Sequence, residues 1–186
     1  MKIILASNSP RRKELLLRHD IAFDIIPSDV IEIVDNNLSP VENVMNLAKQ
    51  KAIDVYNKSQ EEVILAADTI VVYNNEILGK PKDMMDAFRM LRLLSGKTHE
   101  VITGVAFVIN GKIDTYYEIS KVTFKKLTEE EILEYIKTKE PMDKAGSYAI
   151  QGIGSKLVDS YEGDFDNIVG LPMKLVLKVL NDNQII

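Results

Sequence analysis

The stretch ILASNSPRRK, residues 4–13, decides how this chain begins to fold. Its apolar half predicts a short strand over residues 2–6, and Ser9 followed by Pro10 is a strong signal for the start of a helix. Three basic residues (11–13) then fall in the first turn, where the partial positive charge of a helix N-terminus disfavours cations. The pattern leaves two interpretations open, a turn that binds an anion and a solvated basic turn.

Strands and helices alternate on either side of this stretch. A nearly continuous apolar run over residues 63–73 predicts a buried central strand, and Asn110-Gly111 predicts a tight hairpin turn between strands 98–109 and 113–125. Further strands are predicted over residues 22–26, 76–78 and 156–160, helices over 10–19, 40–56, 84–94, 129–137 and from 172 onward, and irregular segments over 29–37 and 140–154. Hairpins together with crossovers predict an α/β class with a mixed sheet.

The composition limits the classes of function that this chain can have. With 186 residues, 46% hydrophobic and 27% charged, the chain is typical of a soluble protein with one domain or one two-lobed unit. A net charge of −5 argues against general nucleic-acid binding. No apolar run approaches the roughly 20 residues of a membrane span, and no signal peptide is evident, so we expect no membrane contact and a cytoplasmic location.

The absence of cysteine excludes disulfides, a thiolate nucleophile and thiolate metal sites. Two separate histidines, His19 and His99, do not make a zinc cluster. Any metal would therefore be held mainly by carboxylates and ligand oxygens, a donor set that suits Mg²⁺ or Mn²⁺.

Asp68 is the most informative charged residue, because it lies inside the apolar run AADTIVV, residues 66–72. A carboxylate in a buried strand costs roughly several kcal/mol unless it has a partner or a function. Strand alternation predicts that Asp68 and Thr69 face opposite sides of the sheet. Asp68 is either a structural residue that binds a neighbouring loop, or a metal ligand or base acting on water, and the functional interpretation is favoured.

Four other residues are candidates with ordinary alternatives. Lys80 lies in a Gly-Lys-Pro turn between a predicted strand and a helix and can bind phosphate, although such a segment is usually only a turn. No P-loop and no G-x-G-x-x-G motif is present. Gln151 lies among glycines, and its amide can contact a base edge or belong to a surface loop. Glu32 is a candidate metal ligand, and Lys51 lies on a partly apolar helix face, where lysines also extend to solvent.

Six segments, taken together, resemble the Maf family of nucleoside triphosphate pyrophosphatases. They occur in the family's order and are LASNSPRRKELL (5–16), AADTIVV (66–72), GKPKD (79–83), LSGKTHEVITGV (94–105), DKAGSYAIQG (143–152) and NIVGLP (167–172). The resemblance implies an elongated, two-lobed α/β fold with a central mixed sheet and a cleft, similar to inosine triphosphate pyrophosphatases. It further implies one domain over residues 1–186, with the two lobes around that cleft, and a homodimer.

The resemblance also implies a reaction. A nucleoside triphosphate would be hydrolysed to the monophosphate and pyrophosphate by water attack at the α-phosphate, with Mg²⁺ or Mn²⁺ as cofactor. Asp68 is the implied proton acceptor or holder of a metal-bound water, and the metal would be held by Glu32 or Asp68. The expected phosphate-binding residues are Ser7, Ser9, Arg12, Lys51 and Lys80.

Three positions indicate the branch of the family. Arg11, Thr69 and Gln151 agree with the branch resembling dTTP/UTP pyrophosphatases, whereas the branch acting on 7-methyl-GTP typically has Trp, Gln and Glu there. We therefore expect dTTP and UTP as substrates, with modified pyrimidine nucleotides as further candidates, in a house-cleaning role in nucleotide metabolism. Two alternatives remain, a non-catalytic nucleotide-binding regulator of cell division and septum formation, and a phosphatase or sugar-phosphate enzyme.

Overall fold

The structure is a computed structural model that describes residues 2–61 and 63–186. Its strands are β1 (Ile3–Leu5), β2 (Phe23–Ile25), β3 (Val63–Tyr73), β4 (Glu76–Leu78), β5 (Thr98–Ile109), β6 (Lys112–Phe124) and β7 (Val158–Glu162). Its α-helices are α1 (Pro10–Arg18), α2 (Pro40–Ser59), α3 (Met84–Leu94), α4 (Glu129–Lys137), α5 (Phe165–Val169) and α6 (Met173–Asp182). Short 3-10 helices cover Glu140–Asp143, Ala145–Ser147 and Gly152–Leu157.

The strands form one sheet in the order β2-β1-β3-β5-β6-β7, with β4 paired to β3. Strand β1 runs parallel to both β2 and β3, so that Ile3 is in register with Phe23 and Val63. The pairs β3–β4 and β6–β7 are antiparallel. Parallel pairs need long crossovers, and α1 and α2 occupy those crossovers. The predicted α/β class with a central mixed sheet is confirmed.

The chain divides into two compact units. Unit 1 comprises the N-terminal part through Thr69, residues Thr103–Glu118 and residues Gly170–Ile186. Unit 2 comprises Ile70–Ile102 and Ile119–Val169. The arrangement of two lobes around one cleft, implied by the resemblance, stays a prediction.

The core of unit 1 is built from small and branched side chains on β1, β3, β5 and α2. Helix α2 begins with a capping box, in which the Ser39 hydroxyl accepts from the Glu42 N–H and the Glu42 carboxylate accepts from the Ser39 N–H. At Gly104 of β5, an added Cβ would lie 2.5 Å from the Val44 carbonyl oxygen of α2. Helix α2 therefore packs so closely on the sheet that only glycine fits at position 104. The central buried cluster is Ile4, Ala6, Ala48, Ala52, Val55, Ile64, Ala66, Ala106 and Val108.

An aromatic cluster lies in the core of unit 2. The His99 ring on β5 packs edge-to-face against Phe124 and Tyr148, with ring centroids 5.0 and 5.3 Å away. His99 Nε2 lies 2.7 Å from the Tyr148 hydroxyl. Burial lowers the pKa of His99 to about 4, so that the imidazole is neutral at ordinary pH.

Local signals located the hairpin and most helix starts, with two corrections. Asn110 and Gly111 adopt positive φ, as the predicted tight turn requires. Ser9 is the N-cap residue of α1, as predicted, but its side chain makes no capping hydrogen bond. Instead its backbone N–H donates to Ser7 Oγ at 3.2 Å, so that the loop before α1 is stabilised from within. Helix α5 was not predicted.

The described residues include no helix that is both long enough and apolar enough to cross a membrane.

Candidate active site

Strand β3 places Asp68 and Thr69 on opposite faces of the sheet, as strand alternation predicts. Asp68 Oδ1 accepts a hydrogen bond from Lys51 Nζ of α2 at 2.6 Å. Thr69 Oγ1 accepts one from Arg12 Nη2 of α1 at 3.2 Å. Two neighbouring residues of one strand therefore face two different helices, and each side chain has a cationic partner.

The first of these arrangements is the Lys51 group, which consists of Lys51, Asp68 and Glu32. Lys51 Nζ lies 2.6 Å from Asp68 Oδ1 and 2.7 Å from Glu32 Oε1. The Lys51 and Asp68 side chains are only 10% and 8% exposed, whereas that of Glu32 is 42% exposed. The ammonium is the partner that a carboxylate in this buried strand requires. Two carboxylates share one ammonium, so the group has a net formal charge of −1.

Lys51 reaches this position because of helical spacing. Leu47 and Val55 lie one turn to either side of it, and all three are buried on one face of α2. The predicted position of Lys51 on an apolar helix face is confirmed, but the lysine does not extend to solvent. Its charged end turns inward to Asp68.

The second arrangement is the Arg12 group, built from Arg12, Ser7, Thr69, Thr103 and Gly170. Arg12 Nε donates to the Gly170 carbonyl at 2.8 Å, Nη1 to Ser7 Oγ at 3.2 Å, and Nη2 to Thr69 Oγ1 at 3.2 Å. Thr69 Oγ1 in turn lies 2.9 Å from Thr103 Oγ1. The guanidinium is thus fixed by three partners, of which Thr69 and Gly170 are distant from it in sequence.

The two groups influence each other electrostatically. Burial lowers the pKa of Arg12, while the charges of Asp68 and Glu32 raise it and that of Arg11 lowers it. An arginine remains protonated under these influences at any ordinary pH. The first turn of α1 contains no acidic residue and carries Arg11 and Arg12, so its charges favour an anion over a cation.

The structure therefore joins most of the predicted site residues of unit 1. Ser7, Arg12 and Thr69 belong to one hydrogen-bond group, and Lys51, Asp68 and Glu32 to the other. Arg11 lies in the first turn of α1, next to Arg12, and Ser9 contributes its backbone N–H to Ser7. The two remaining predicted residues, Lys80 and Gln151, belong to unit 2.

Lys80 is exposed in the segment between β4 and α3. The preceding Gly79 accepts a hydrogen bond through its carbonyl from the Gly146 N–H at 3.1 Å. Gly146 has a positive φ of 66°, and an added Cβ there would lie 2.8 Å from Val71 Cγ2. The GKPKD and DKAGSYAIQG segments therefore meet in unit 2, and a larger residue at position 146 would be strained.

Gln151 is partly buried and immediately precedes the 3-10 helix Gly152–Leu157. Glu140 accepts at the start of that helix, through Oε1 from the Ile153 N–H at 3.1 Å and through Oε2 from the Gly154 N–H at 2.8 Å. A carboxylate at a helix N-terminus stabilises its free N–H groups. The glycine-rich segment after Gln151 is thus an ordered one.

Metal binding by protein groups alone would need a larger cluster than the described residues provide. They contain no group of three or more His, Cys, Asp or Glu side chains that could hold a metal ion. Asp68 and Glu32 nevertheless converge on one point, the Lys51 ammonium. Mg²⁺ is often bound by one or two carboxylates plus substrate phosphates and water, so the donor type of these two residues is compatible with that ion.

Sequence reasoning missed two residues of the Arg12 group. Thr103 is a polar residue inside the apolar run VITGV, and it is fully buried. Gly170 has a φ of +127° and contributes only its carbonyl. A buried hydroxyl in a central strand was a usable signal for Thr103, whereas nothing local distinguishes the Gly170 carbonyl from any other.

Comparison with solved structures gives low similarity. A dITP/XTP pyrophosphatase from Mycobacterium abscessus is 14% identical, with a TM-score of 0.44 over 68% of this chain and 76% of that one. The Ham1 protein of Staphylococcus aureus is 13% identical, with a TM-score of 0.44 over 85% of this chain and 80% of that one.

Comparison of sequences gives much closer relatives. The dTTP/UTP pyrophosphatase of Bacillus mycoides is 54% identical over 179 residues, which are 96% of this chain and 94% of that protein. The dTTP/UTP pyrophosphatase of Bacillus cytotoxicus is 53% identical over the same shares. Residues 2–183 match the family described as Maf-like protein. This match covers both the Lys51 group and the Arg12 group, and the chain belongs to the Maf family.

Proposed function

We propose that this chain is a nucleoside triphosphate pyrophosphatase that hydrolyses dTTP and UTP to the monophosphate and pyrophosphate. Membership of the Maf family and relatives named dTTP/UTP pyrophosphatase at 53–54% identity support this function. The observation in the structure that supports it best is the buried Lys51–Asp68 pair. A carboxylate buried in a strand and held by a lysine is a candidate for chemistry on a phosphate.

The triphosphate is bound by cations and by N–H groups. Arg12 and its neighbour Arg11 lie in the first turn of α1, at the positive end of that helix. The Ser7 and Ser9 hydroxyls belong to the loop that leads into this turn. Lys51 and Lys80 complete the proposed set of phosphate-binding residues, as point charges. These contacts hold the leaving pyrophosphate as its negative charge develops.

Asp68 acts on the attacking water. The carboxylate accepts a proton from the water while the water oxygen bonds to the α-phosphorus. The bond from that phosphorus to the bridging oxygen breaks, and pyrophosphate leaves with the electron pair. Lys51 holds Asp68 in place through Oδ1 during this step.

The proposed cofactor is Mg²⁺ or Mn²⁺, held by Asp68 and Glu32. When bound, such an ion neutralises negative charge on phosphate oxygens. The two carboxylates, both directed at Lys51 Nζ, provide the oxygen donors that these ions prefer.

Selectivity for the base is assigned to Arg11, Thr69 and Gln151. Uracil and thymine present a carbonyl at position 4 and an N–H at position 3. Gln151 can donate to the one and accept from the other, and the Thr69 hydroxyl can do either. A site built on such hydrogen bonds penalises bases that leave its polar groups unpaired.

The test is product analysis with purified protein. With Mg²⁺ or Mn²⁺, dTTP and UTP should give monophosphate and pyrophosphate, and Asp68→Asn should lower kcat by about 10²-fold or more. Asp54→Asn is a matched control, because Asp54 is also ion-paired to a lysine, Lys58, outside both groups. Near-normal turnover in Asp68→Asn contradicts the role of Asp68.

The products also separate the alternatives. Orthophosphate in place of pyrophosphate would indicate a phosphatase. Nucleotide binding without any turnover would indicate a non-catalytic regulator of cell division. The cytoplasmic location, the homodimer and the absence of nucleic-acid binding stay predictions.

A further inference from the structure

Thr103 is a buried polar residue to which the proposed reaction assigns no role. It is 0% exposed on β5, within the VITGV run. A hydroxyl in such a place is unfavourable unless it forms hydrogen bonds. One of its contacts is to Thr69, at 2.9 Å between the two Oγ1 atoms. We propose that Thr103 is a positioning residue that fixes the hydrogen-bond role of Thr69 and thereby the base selectivity of the enzyme. This inference rests on the proposed function.

The Thr69 hydroxyl can form only a limited number of hydrogen bonds. Thr69 Oγ1 has one proton to donate and two lone pairs that accept. Arg12 Nη2 uses one lone pair, since a guanidinium can only donate. Thr103 uses either the second lone pair or the proton. Thr69 Oγ1 can then form one more hydrogen bond. It can only donate in the first case and can only accept in the second.

When one fixed position of the base edge faces Thr69, each of these cases distinguishes uracil from cytosine. At positions 4 and 3, uracil offers an acceptor and a donor, whereas cytosine offers a donor and an acceptor. A Thr69 hydroxyl restricted to donating suits the uracil O4, and one restricted to accepting suits the uracil N3–H. Without the Thr103 hydroxyl, Thr69 Oγ1 keeps both its proton and one lone pair for a ligand, and rotation of the Thr69 hydroxyl lets it bond to either base.

Burial separates the roles of the two threonines. Thr69 is partly exposed, so its hydroxyl can form its remaining hydrogen bond with a ligand. Thr103 is fully buried and therefore acts through Thr69. The hydrogen bonds of Arg12 to Ser7 and Gly170 hold its guanidinium in place. Arg12 therefore keeps donating to the first lone pair of Thr69 Oγ1.

The test compares Thr103→Val with Thr103→Ser. Valine keeps the shape and removes the hydroxyl, whereas serine keeps the hydroxyl. The UTP-to-CTP ratio of kcat/KM should fall roughly five- to tenfold in Thr103→Val, as expected for one hydrogen bond, and should be retained in Thr103→Ser. Thr123→Val is a matched control from a second threonine pair, since Thr98 and Thr123 lie 2.8 Å apart and bond to neither Arg12 nor Thr69 in the described part of the chain.

Two results overturn the proposal. One is a wild-type ratio in Thr103→Val, and the other is an equal loss in Thr103→Ser. Thr103→Ala removes the same hydroxyl with less bulk and replaces the valine variant should that variant not fold. Affinities for UTP and CTP, measured on the same proteins, give the ratio without turnover. A wild type that binds UTP selectively but does not hydrolyse it contradicts the proposed function, while the affinity ratio of Thr103→Val still tests this inference.

Discussion

At the scale of single residues, Lys51 determines the charge arrangement of the site. Its ammonium is the shared partner of Asp68 and Glu32, at 2.6 and 2.7 Å. Removing one partner of a buried ion pair leaves the other charge buried without compensation. This lowers the free energy of unfolding more than replacing both partners by apolar side chains does.

Lys51→Met tests this dependence. The free energy of unfolding should fall by about 3 kcal/mol, because the Asp68 carboxylate loses its partner while remaining buried. Urea denaturation at neutral pH measures the change. Lys58→Met is the matched control. Lys58 also bridges two carboxylates, Asp29 and Asp54, but its side chain is 37% exposed, so we expect a much smaller loss than in Lys51→Met. Equal losses in the two variants would show that burial of the pair is unimportant.

Gln151 is the residue whose proposed role concerns the base alone. Gln151→Glu replaces an amide donor with a carboxylate, so kcat/KM for UTP and dTTP should fall by about tenfold or more, while purine nucleotides lose less. Steady-state kinetics with UTP, dTTP, ATP and GTP give the comparison. Gln60→Glu, at the exposed C-cap of α2, introduces the same charge away from the two groups. An equal loss for every nucleotide would argue against contact with the base.

At the scale of secondary-structure elements, the aromatic cluster connects β5 and β6 with the segment around Tyr148. His99 packs edge-to-face on Phe124 and Tyr148, and its pKa is lowered by burial to about 4. Because folding lowers the pKa of this histidine, the unfolded state takes up the proton at a higher pH than the folded state does. It therefore contributes stability above about pH 6.5, and this contribution is lost as the pH falls towards 4.

The cluster thus predicts a pH dependence of stability. Wild type should lose roughly 1 kcal/mol per pH unit between pH 6 and 4.5 relative to His99→Gln, which has no proton to take up. Unfolding curves of the two proteins across this range provide the difference. His19→Gln, a substitution of an exposed histidine, should follow wild type. Parallel curves for wild type and His99→Gln would contradict the burial effect.

At the scale of the whole molecule, the position of Asp68 relative to Lys51 depends on how closely α2 lies on the sheet within unit 1. Gly104 is the point of closest approach, where a Cβ would lie 2.5 Å from the Val44 carbonyl oxygen and 2.8 Å from the Met45 nitrogen. These are backbone atoms, so α2 itself would have to shift.

Gly104→Ala should therefore destabilise the protein by about 2 kcal/mol or more, through overpacking. It should also lower turnover, because a shift of α2 moves Lys51 away from Asp68. Thermal unfolding and UTP hydrolysis measure the two effects. At Gly79 an added Cβ would have no atom within 4 Å, so Gly79→Ala is a stability control of the same chemical change. A stable Gly104→Ala protein would show that α2 adjusts easily.

The sequence alone determined most of the strands and helices, because their signals are local. The apolar run of β3, the Asn110-Gly111 turn, the helix start at Ser39-Pro40 and the capping box at Thr128 each depend on a few adjacent residues. The alternation of Asp68 and Thr69 follows in the same way from strand geometry. The resemblance to the Maf family adds what local signals lack, since ordered motifs along the chain identify a family without any contact being known.

Only the tertiary structure decided which side chains meet. The Arg12 guanidinium bonds to the Gly170 carbonyl across 158 residues of sequence, and Thr69 meets Thr103 because β3 and β5 are neighbours in the sheet. The position of Ser9 at the N-cap of α1 followed from sequence, whereas the hydrogen bond from its backbone N–H to the Ser7 hydroxyl, which also accepts from Arg12, was visible only in the structure. Contacts of this kind depend on strand order and helix docking, which are collective properties of packing that local residue patterns do not specify.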